Sequence, residues 1–160
     1  ETGAATALPP RTHELLSPVT AVFATPDPRF AVAFQSAAVG SAKGGAFSVL
    51  SLLAERAPKI VATDAAPSRI AFAPDGSSAI VAVRSEDRAS FGAYVIGLER
   101  QQVDLVELAS PPLSAGVVEA ANRAYVAQAH PEGRITFISL VGGGVQTVTG
   151  FELSARIVSR

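Results

Sequence analysis

The chain has no cysteine, no methionine and no tryptophan among its 160 residues. The missing thiols exclude disulfides, a thiolate nucleophile and Cys-ligated zinc or iron–sulfur centres. They leave the redox compartment open, because a protein without disulfides is compatible with any compartment. Charge is scarce: 17% of residues are Asp, Glu, Lys or Arg and the net charge is −1, so the chain offers no electrostatic footprint for nucleic acid or an anionic membrane surface. No apolar run approaches the roughly 18 residues that a membrane-spanning helix needs. Histidine occurs only at His13 and His130. Nowhere is there a Gly-x-Ser-x-Gly elbow, a Walker-type loop, a Gly-x-Gly-x-x-Gly turn or a His-Glu-x-x-His helix signature. With no methionine, a chain opening Glu1-Thr2-Gly3 is expected from processing, from cleavage of a larger chain, or from a vector scar left after a secretion signal is removed.

What the chain does have is apolar material, 48% of its residues, arranged in a repeat. A turn is followed by two apolar strands, the second ending in Leu. The turns are Thr25-Pro26-Asp27-Pro28, Ala73-Pro74-Asp75-Gly76 and Ala120-Ala121-Asn122-Arg123. The Leu-terminated strands end at Leu52, Leu98 and Leu140. The first two turns are 48 positions apart and the last two strands 42, a period in the forties built of short strands, which is that of a β-propeller blade.

Naming the strands of a blade a to d from the axis outward, the pattern predicts strands near 19–24, 29–35, 46–52 and 59–63, then 69–73, 79–84, 92–98 and 102–108, then 114–119, 123–129, 134–140 and 145–149. The blades lie near 17–67, 68–112 and 113–152. Residues 12–16 resemble 104–108 and are expected to be the last strand of an earlier blade; 155–158 look like the first strand of a later one. Residues 1–11 are expected to be a flexible lead-in to a propeller segment spanning 12–160. The fold class is therefore all-β: about three four-stranded antiparallel blades plus partial flanking strands.

Runs such as Phe30-Ala31-Val32-Ala33-Phe34 and Ala79-Ile80-Val81-Ala82-Val83 are apolar on both sides, as strands between two packed sheets must be. Val49, Leu50, Val81, Val95, Ile96, Phe137 and Ile138 are expected to be almost fully buried. Gly142-Gly143-Gly144 reads as a hairpin turn, and Asp75 is expected to accept backbone N–H bonds within its own turn. Residues 51–57 have good helix propensity, but Pro58 closes the segment, which reads as a strand end and a loop.

These residues resemble bacterial β-propellers of the YVTN-like, or Pro-Asp-Gly repeat, kind. Arg69-Ile70-Ala71-Phe72-Ala73-Pro74-Asp75-Gly76 is similar to that family's first strand and turn, Arg123-Ala124-Tyr125-Val126-Ala127-Gln128 to its Tyr-Val second strand, and Gly133-Arg134-Ile135-Thr136-Phe137-Ile138-Ser139-Leu140 to its third. Pro28 stands where the turn Gly is expected, and the third turn lacks Pro-Asp. The resemblance implies a fold, not an activity, because propellers carry scaffolds, receptors and several enzyme classes.

Three blades do not close a ring of about four to eight, and an open stack leaves apolar sheet faces bare. Further blades of the same polypeptide, or other protein chains, are the expected partners. In a propeller the b–c loops emerge on one face together with the d–a loops. Lys43, Glu86, Asp87, Arg88, His130 and Glu132 should therefore share a rim with Asp64, and these six are the candidate binding residues. His130 with Glu132 has the residue types for metal binding or proton transfer, but the spacing also suits an ordinary polar turn, and the acidic pairs are too sparse for a calcium loop. No catalytic residue, metal site or cofactor is assigned. The axis-facing positions Thr20, Ser68, Arg69, Ser114 and Arg156 hold no His or carboxylate cluster. That favours a non-enzymatic binding or assembly module over the alternative, a hydrolase or lactonase-like propeller with its site on the axis. Arg-over-Lys usage and abundant Ala suggest a GC-rich bacterial source. The expected location is periplasmic or extracellular, on the cell surface.

Overall fold

In the computed structural model, which describes residues 12–53 and 55–150, twelve strands form three four-stranded antiparallel sheets, each a simple meander. Blade one holds β1 (Val19–Ala24), β2 (Phe30–Ser36), β3 (Gly45–Ser51) and β4 (Lys59–Thr63). Blade two holds β5 (Ala66–Phe72), β6 (Ser78–Ser85), β7 (Ser90–Gly97) and β8 (Gln102–Glu107). Blade three holds β9 (Pro112–Val118), β10 (Arg123–Gln128), β11 (Arg134–Ser139) and β12 (Val145–Thr149). Every predicted strand of the three blades is present, with β5 and β9 beginning earlier than expected. β5 begins at Ala66 and carries a bulge between Pro67 and Arg69. β9 opens on Pro112, which has no N–H to contribute and is tolerated at a strand's first position.

The a–b turns show why Pro and Asp recur. Ser77 N–H donates to Asp75 Oδ1 at 2.9 Å, and Gly76 N–H to Ala73 O at 2.9 Å. Arg29 N–H donates to Asp27 Oδ1 at 2.9 Å in the same geometry, so the first turn keeps the Asp role although Pro28 has replaced the Gly. The third turn, without Pro-Asp, is a single 3-10 turn at Glu119–Ala121 closed by Asn122 in the left-handed region (φ 48°). Its N–H donates to Glu119 O. Gly142 and Gly143, both at positive φ, make the c–d hairpin of blade three.

Two apolar layers hold the blades together. Between blades one and two lie Phe30, Val32, Phe34, Phe47 and Val49 against Val81, Val83, Tyr94, Ile96 and Leu98. Between blades two and three, Ile80, Ala93 and Leu108 meet Ala124, Val126 and Ile138. Phe23 packs on Phe34 with the rings tilted 60° (centroids 4.8 Å apart) and Phe47 meets Tyr94 edge-on (5.3 Å). The frequent Ala on the blade-two and blade-three faces lets those sheets approach closely.

Three expectations need correction or fall outside the description. Of the seven predicted core residues, Val49, Val81, Ile96 and Ile138 are buried, but Leu50, Val95 and Phe137 are only half-buried. Leu50 and Phe137 face outward on blades one and three, where no further blade packs among the described residues. Val95 borders a cleft between blades two and three. Residues 12–16 are not a strand: no strand pairs with them among the described residues, and instead Leu16 N–H and Ser17 N–H donate to Gln35 Oε1 at 3.0 and 3.3 Å. Residues 1–11 and 155–158, with Arg156, lie outside the described residues. Past β3, Leu52 and Leu53 form a bend and 55–58 are irregular, the strand end and loop expected there.

Candidate functional site

Strand polarity sorts the connections. The b–c and d–a loops emerge at one end of the stack, the a–b and c–d turns at the other. The first end holds the six candidate residues. Lys43, in the b–c loop of blade one, pairs with Asp64 of the following d–a loop, Nζ to Oδ1 at 2.5 Å. Arg88, in the b–c loop of blade two, crosses to blade one, and its Nη1 donates to Ala42 O at 2.6 Å and to Asp64 O at 3.3 Å. Lys43, Asp64 and Arg88 thus form one group astride the first blade junction. Asp64 raises the Lys43 ammonium above the usual lysine range by accepting its hydrogen bond. Beneath them Tyr94 is buried against Phe47. Burial first, and the Asp64 charge second, push its phenol above the ordinary tyrosine value.

The rest of the rim divides. Glu86 turns back on its own strand and pairs with the Arg84 guanidinium. Asp87 is exposed at the loop tip. Ala89, the next residue after Arg88, sits at φ 47°, a conformation unfavourable for any residue with a Cβ, and its N–H donates to Glu86 O at 3.1 Å. That strained corner directs Arg88 toward blade one. In blade three His130 Nδ1 accepts the Glu132 N–H at 3.2 Å and His130 O accepts the Gly133 N–H at 3.0 Å, so this loop closes on itself. No hydrogen bond or ion pair joins it to the Lys43–Asp64–Arg88 group among the described residues.

On the axis side, Arg69 Nε donates to Leu113 O at 3.2 Å and its Nη1 to Ser68 O at 2.8 Å, tying strand β5 to β9. Ser68 Oγ donates to Ala82 O. Thr20 and Ser114 are exposed. Among the described residues no three His, Asp or Glu side chains converge.

Sequence reasoning passed over two features. One is a pair of buried glutamines, Gln35 next to the last residue of β2 and Gln128 the last residue of β10. Gln128 Nε2 donates to Thr136 Oγ1 at 2.6 Å while its Oε1 accepts from Ser110 Oγ at 3.2 Å. Gln35 Nε2 donates to Ser48 Oγ at 2.5 Å while its Oε1 takes the Leu16 and Ser17 N–H groups. Ser110-Pro111 and Ser17-Pro18 therefore occupy equivalent places, and a Gln at or beside the end of an apolar strand was the available signal. The other is a cleft of about 770 Å³ between blades two and three at the opposite end, bordered by Glu99, Arg100, Asp104, Leu105, Ile138 and Gly143.

No family model matches the sequence, and no curated protein matches it. Its structure is similar to solved β-propellers. With the β-propeller domain of the trilobed protease from Pyrococcus furiosus the TM-score is 0.62 at 11% identity, over 90% of this chain and 46% of that one. With hydrazine synthase from Kuenenia stuttgartiensis it is 0.57 at 15% identity, over 80% of this chain and 41% of the other. With TolB from Acinetobacter baumannii it is 0.50 at 14% identity, over 81% and 32%. The chain thus spans less than half the length of each of these structures. At such identities the likeness establishes the β-propeller fold alone.

Proposed function

We propose that this chain is a non-enzymatic β-propeller module for binding or assembly, of the YVTN-like kind, acting in the periplasm or on the cell surface of a bacterium. Further blades complete its ring. The observation that carries this reading is the state of the blade faces. The face of blade three that points away from blade two bears Tyr125, Ile135, Phe137 and Val148, in the register positions that on blade two are Ile80, Ala93, Val95 and Val106. On blade two those residues pack against a neighbouring sheet. On blade three Tyr125, Ile135 and Phe137 are only partly buried and Val148 is 38% accessible, with Val118 on the same face at 40%, whereas Ile80 and Ala93 of blade two are fully buried. Sheet faces of this kind drive association, at about 25 cal/mol per Å² of apolar area buried.

The rim formed by Lys43, Glu86, Asp87, Arg88, His130 and Glu132 is the proposed contact surface for a partner. It is charged, loop-borne and held by the rigid sheets behind it. The open face is tested first. The wild-type chain should bind the dye ANS or associate, and Phe137→Ser with Val148→Ser should reduce both while leaving the strand-type circular dichroism spectrum intact. A chain that neither binds the dye nor associates, or variants that change nothing, would refute the assembly reading.

A further inference from the structure

Strand pairing puts the three blades in register with one another. Leu52, Leu98 and Leu140 each donate their N–H to the residue just before the b strand, Arg29 O, Ser77 O and Asn122 O. Ser78 therefore stands in blade two where Phe30 stands in blade one, and Val95 where Val49 stands. Leu140 of blade three matches Leu98 of blade two in the same way. At this end the first junction is filled. Phe30, Val49 and Leu98 lie in one buried cluster, with Val49 and Leu98 wholly inaccessible. The second junction is not. Val95, the same residue type at the same register, is only half-buried, and so is Leu140. Bulk returns toward the b–c end, where Phe91 packs into the junction. At the Ser78 end no aromatic side chain borders the gap, and the cleft of about 770 Å³ lies there. Interiors are otherwise close-packed, and a gap of this size with mixed walls has the dimensions of a ligand site.

The polar groups define what the cleft takes. Asp104 projects into it from β8, at the register position that in blade one is Lys59. Its carboxylate accepts one hydrogen bond, from Gln102 Nε2 at 3.1 Å, and pairs with no cation among the described residues. Glu99 at the mouth leans instead toward Arg29 of blade one, 3.9 Å away. Arg100 beside it makes no ion pair among the described residues, and its guanidinium is suited to donate to main-chain carbonyls.

We propose that this cleft binds an extended peptide segment of a partner protein, with an aromatic side chain seated over Ser78, Val95 and Leu140 and an adjacent Lys or Arg against Asp104. The aromatic ring takes the place that Phe30 holds at the first junction. The cation answers the carboxylate that replaces Lys59, and the peptide carbonyls face Arg100. The walls of the cleft belong to β8 and to the β11–β12 hairpin, so an extended segment lies along strands and presents alternate side chains to them. Blades two and three alone form the site. It is separate from the charged rim at the other end and from whatever covers the outer faces of the stack.

The probe is the blocked dipeptide acetyl-Lys-Phe-amide, titrated into the nitrogen-15-labelled chain to about 10 mM, because a ligand so small should have a Kd of about 1 mM. The amide signals of Gly97, Gly142 and Gly143, which border the cleft, should shift. Acetyl-Lys-Ala-amide should bind about tenfold more weakly or worse, the worth of one buried aromatic ring. Acetyl-Glu-Phe-amide should bind about twofold to fivefold more weakly, the scale of an exposed ion pair, and Asp104→Lys should reverse that order. Ser78→Phe, which supplies the ring from the chain itself, should abolish the shifts. Unmoved glycine signals, shifts on the rim instead, or equal binding of the Phe and Ala dipeptides would overturn the proposal. Toluene bound as tightly as acetyl-Lys-Phe-amide, with no effect of Asp104→Lys, would make the cleft a small-molecule pocket and overturn the peptide reading. Asp104 is exposed, so its variant keeps the test decisive if Ser78→Phe fails to fold. None of these readouts depends on dye binding or association, so the fate of the assembly reading is separate.

Discussion

Substituting Gly76 by Ala separates two costs that a glycine can conceal. Gly76 sits at φ +70°, and a Cβ built there would lie 2.6 Å from Asp27 Cβ and 2.7 Å from Asp27 N. The second contact is with backbone, so no side-chain rotation relieves it. Blade two's Pro-Asp-Gly turn is thus pressed against blade one's Thr-Pro-Asp turn, and a methyl group must push the two blades apart. Gly40 supplies the control: it has nearly the same φ, +76°, and nothing within 4 Å of its Cβ position. Gly40→Ala therefore registers only the left-handed backbone, about 1 kcal/mol, offset in part by the lower entropy of the unfolded Ala chain. Gly76→Ala adds overpacking of the usual 1–3 kcal/mol and should cost about 2–4 kcal/mol in total. Urea unfolding followed by far-ultraviolet circular dichroism, with protein concentration held fixed because association contributes to apparent stability, reads the difference. Equal losses for the two variants would refute the claim that the turns of blades one and two are in contact.

Other outcomes follow from single contacts. The Ser77 backbone N–H holds the Asp75 carboxyl below the usual carboxylate range. Its folded pKa lies under the unfolded one, so its contribution is present above about pH 4 and is lost as pH falls through the folded value. Asp75→Asn should accordingly lower the melting temperature at pH 7, with the gap to wild type narrowing in acid; a constant gap counts against the bond. Ile138→Ala, fully buried, should cost about 2–5 kcal/mol. Phe137→Ala, half-buried, should cost less in dilute protein and more once the chain associates, which denaturation at two concentrations would reveal. Ala89→Gly should gain about 0.5–1 kcal/mol by relieving a left-handed alanine, net of glycine's own entropy cost. A lower melting temperature would refute that assignment.

How far the rim was legible follows from the reach of each contact. That Lys43, Asp64 and Arg88 share one end of the molecule came from strand order alone, because antiparallel meanders must alternate their loops. That Arg88 reaches back to Ala42 could not be read, since the contact spans 46 positions and depends on how one blade seats against the next. The same order placed His130 and Glu132 at that end, but their own turn bonds, between neighbours in sequence, take up the His130 ring nitrogen.

The sequence by itself determined where the strands and turns lie. Alternating β-branched and aromatic runs, Pro-Asp turns and glycine hairpins act through residues a few positions apart, and they hold wherever the chain sits. Only the tertiary structure decided burial and polar pairing. Leu50 and Phe137 have the composition of core residues, yet they are half-exposed because burial needs a second sheet, and none of the described sheets packs on those faces. Residues 12–16 have the composition of a strand, yet form none because a strand needs a partner to complete its hydrogen bonds, and no strand pairs with them among the described residues. Gln35 and Gln128 are uninformative as letters. Their role exists only where the segment joining one blade to the next comes within about 3 Å of a side-chain oxygen.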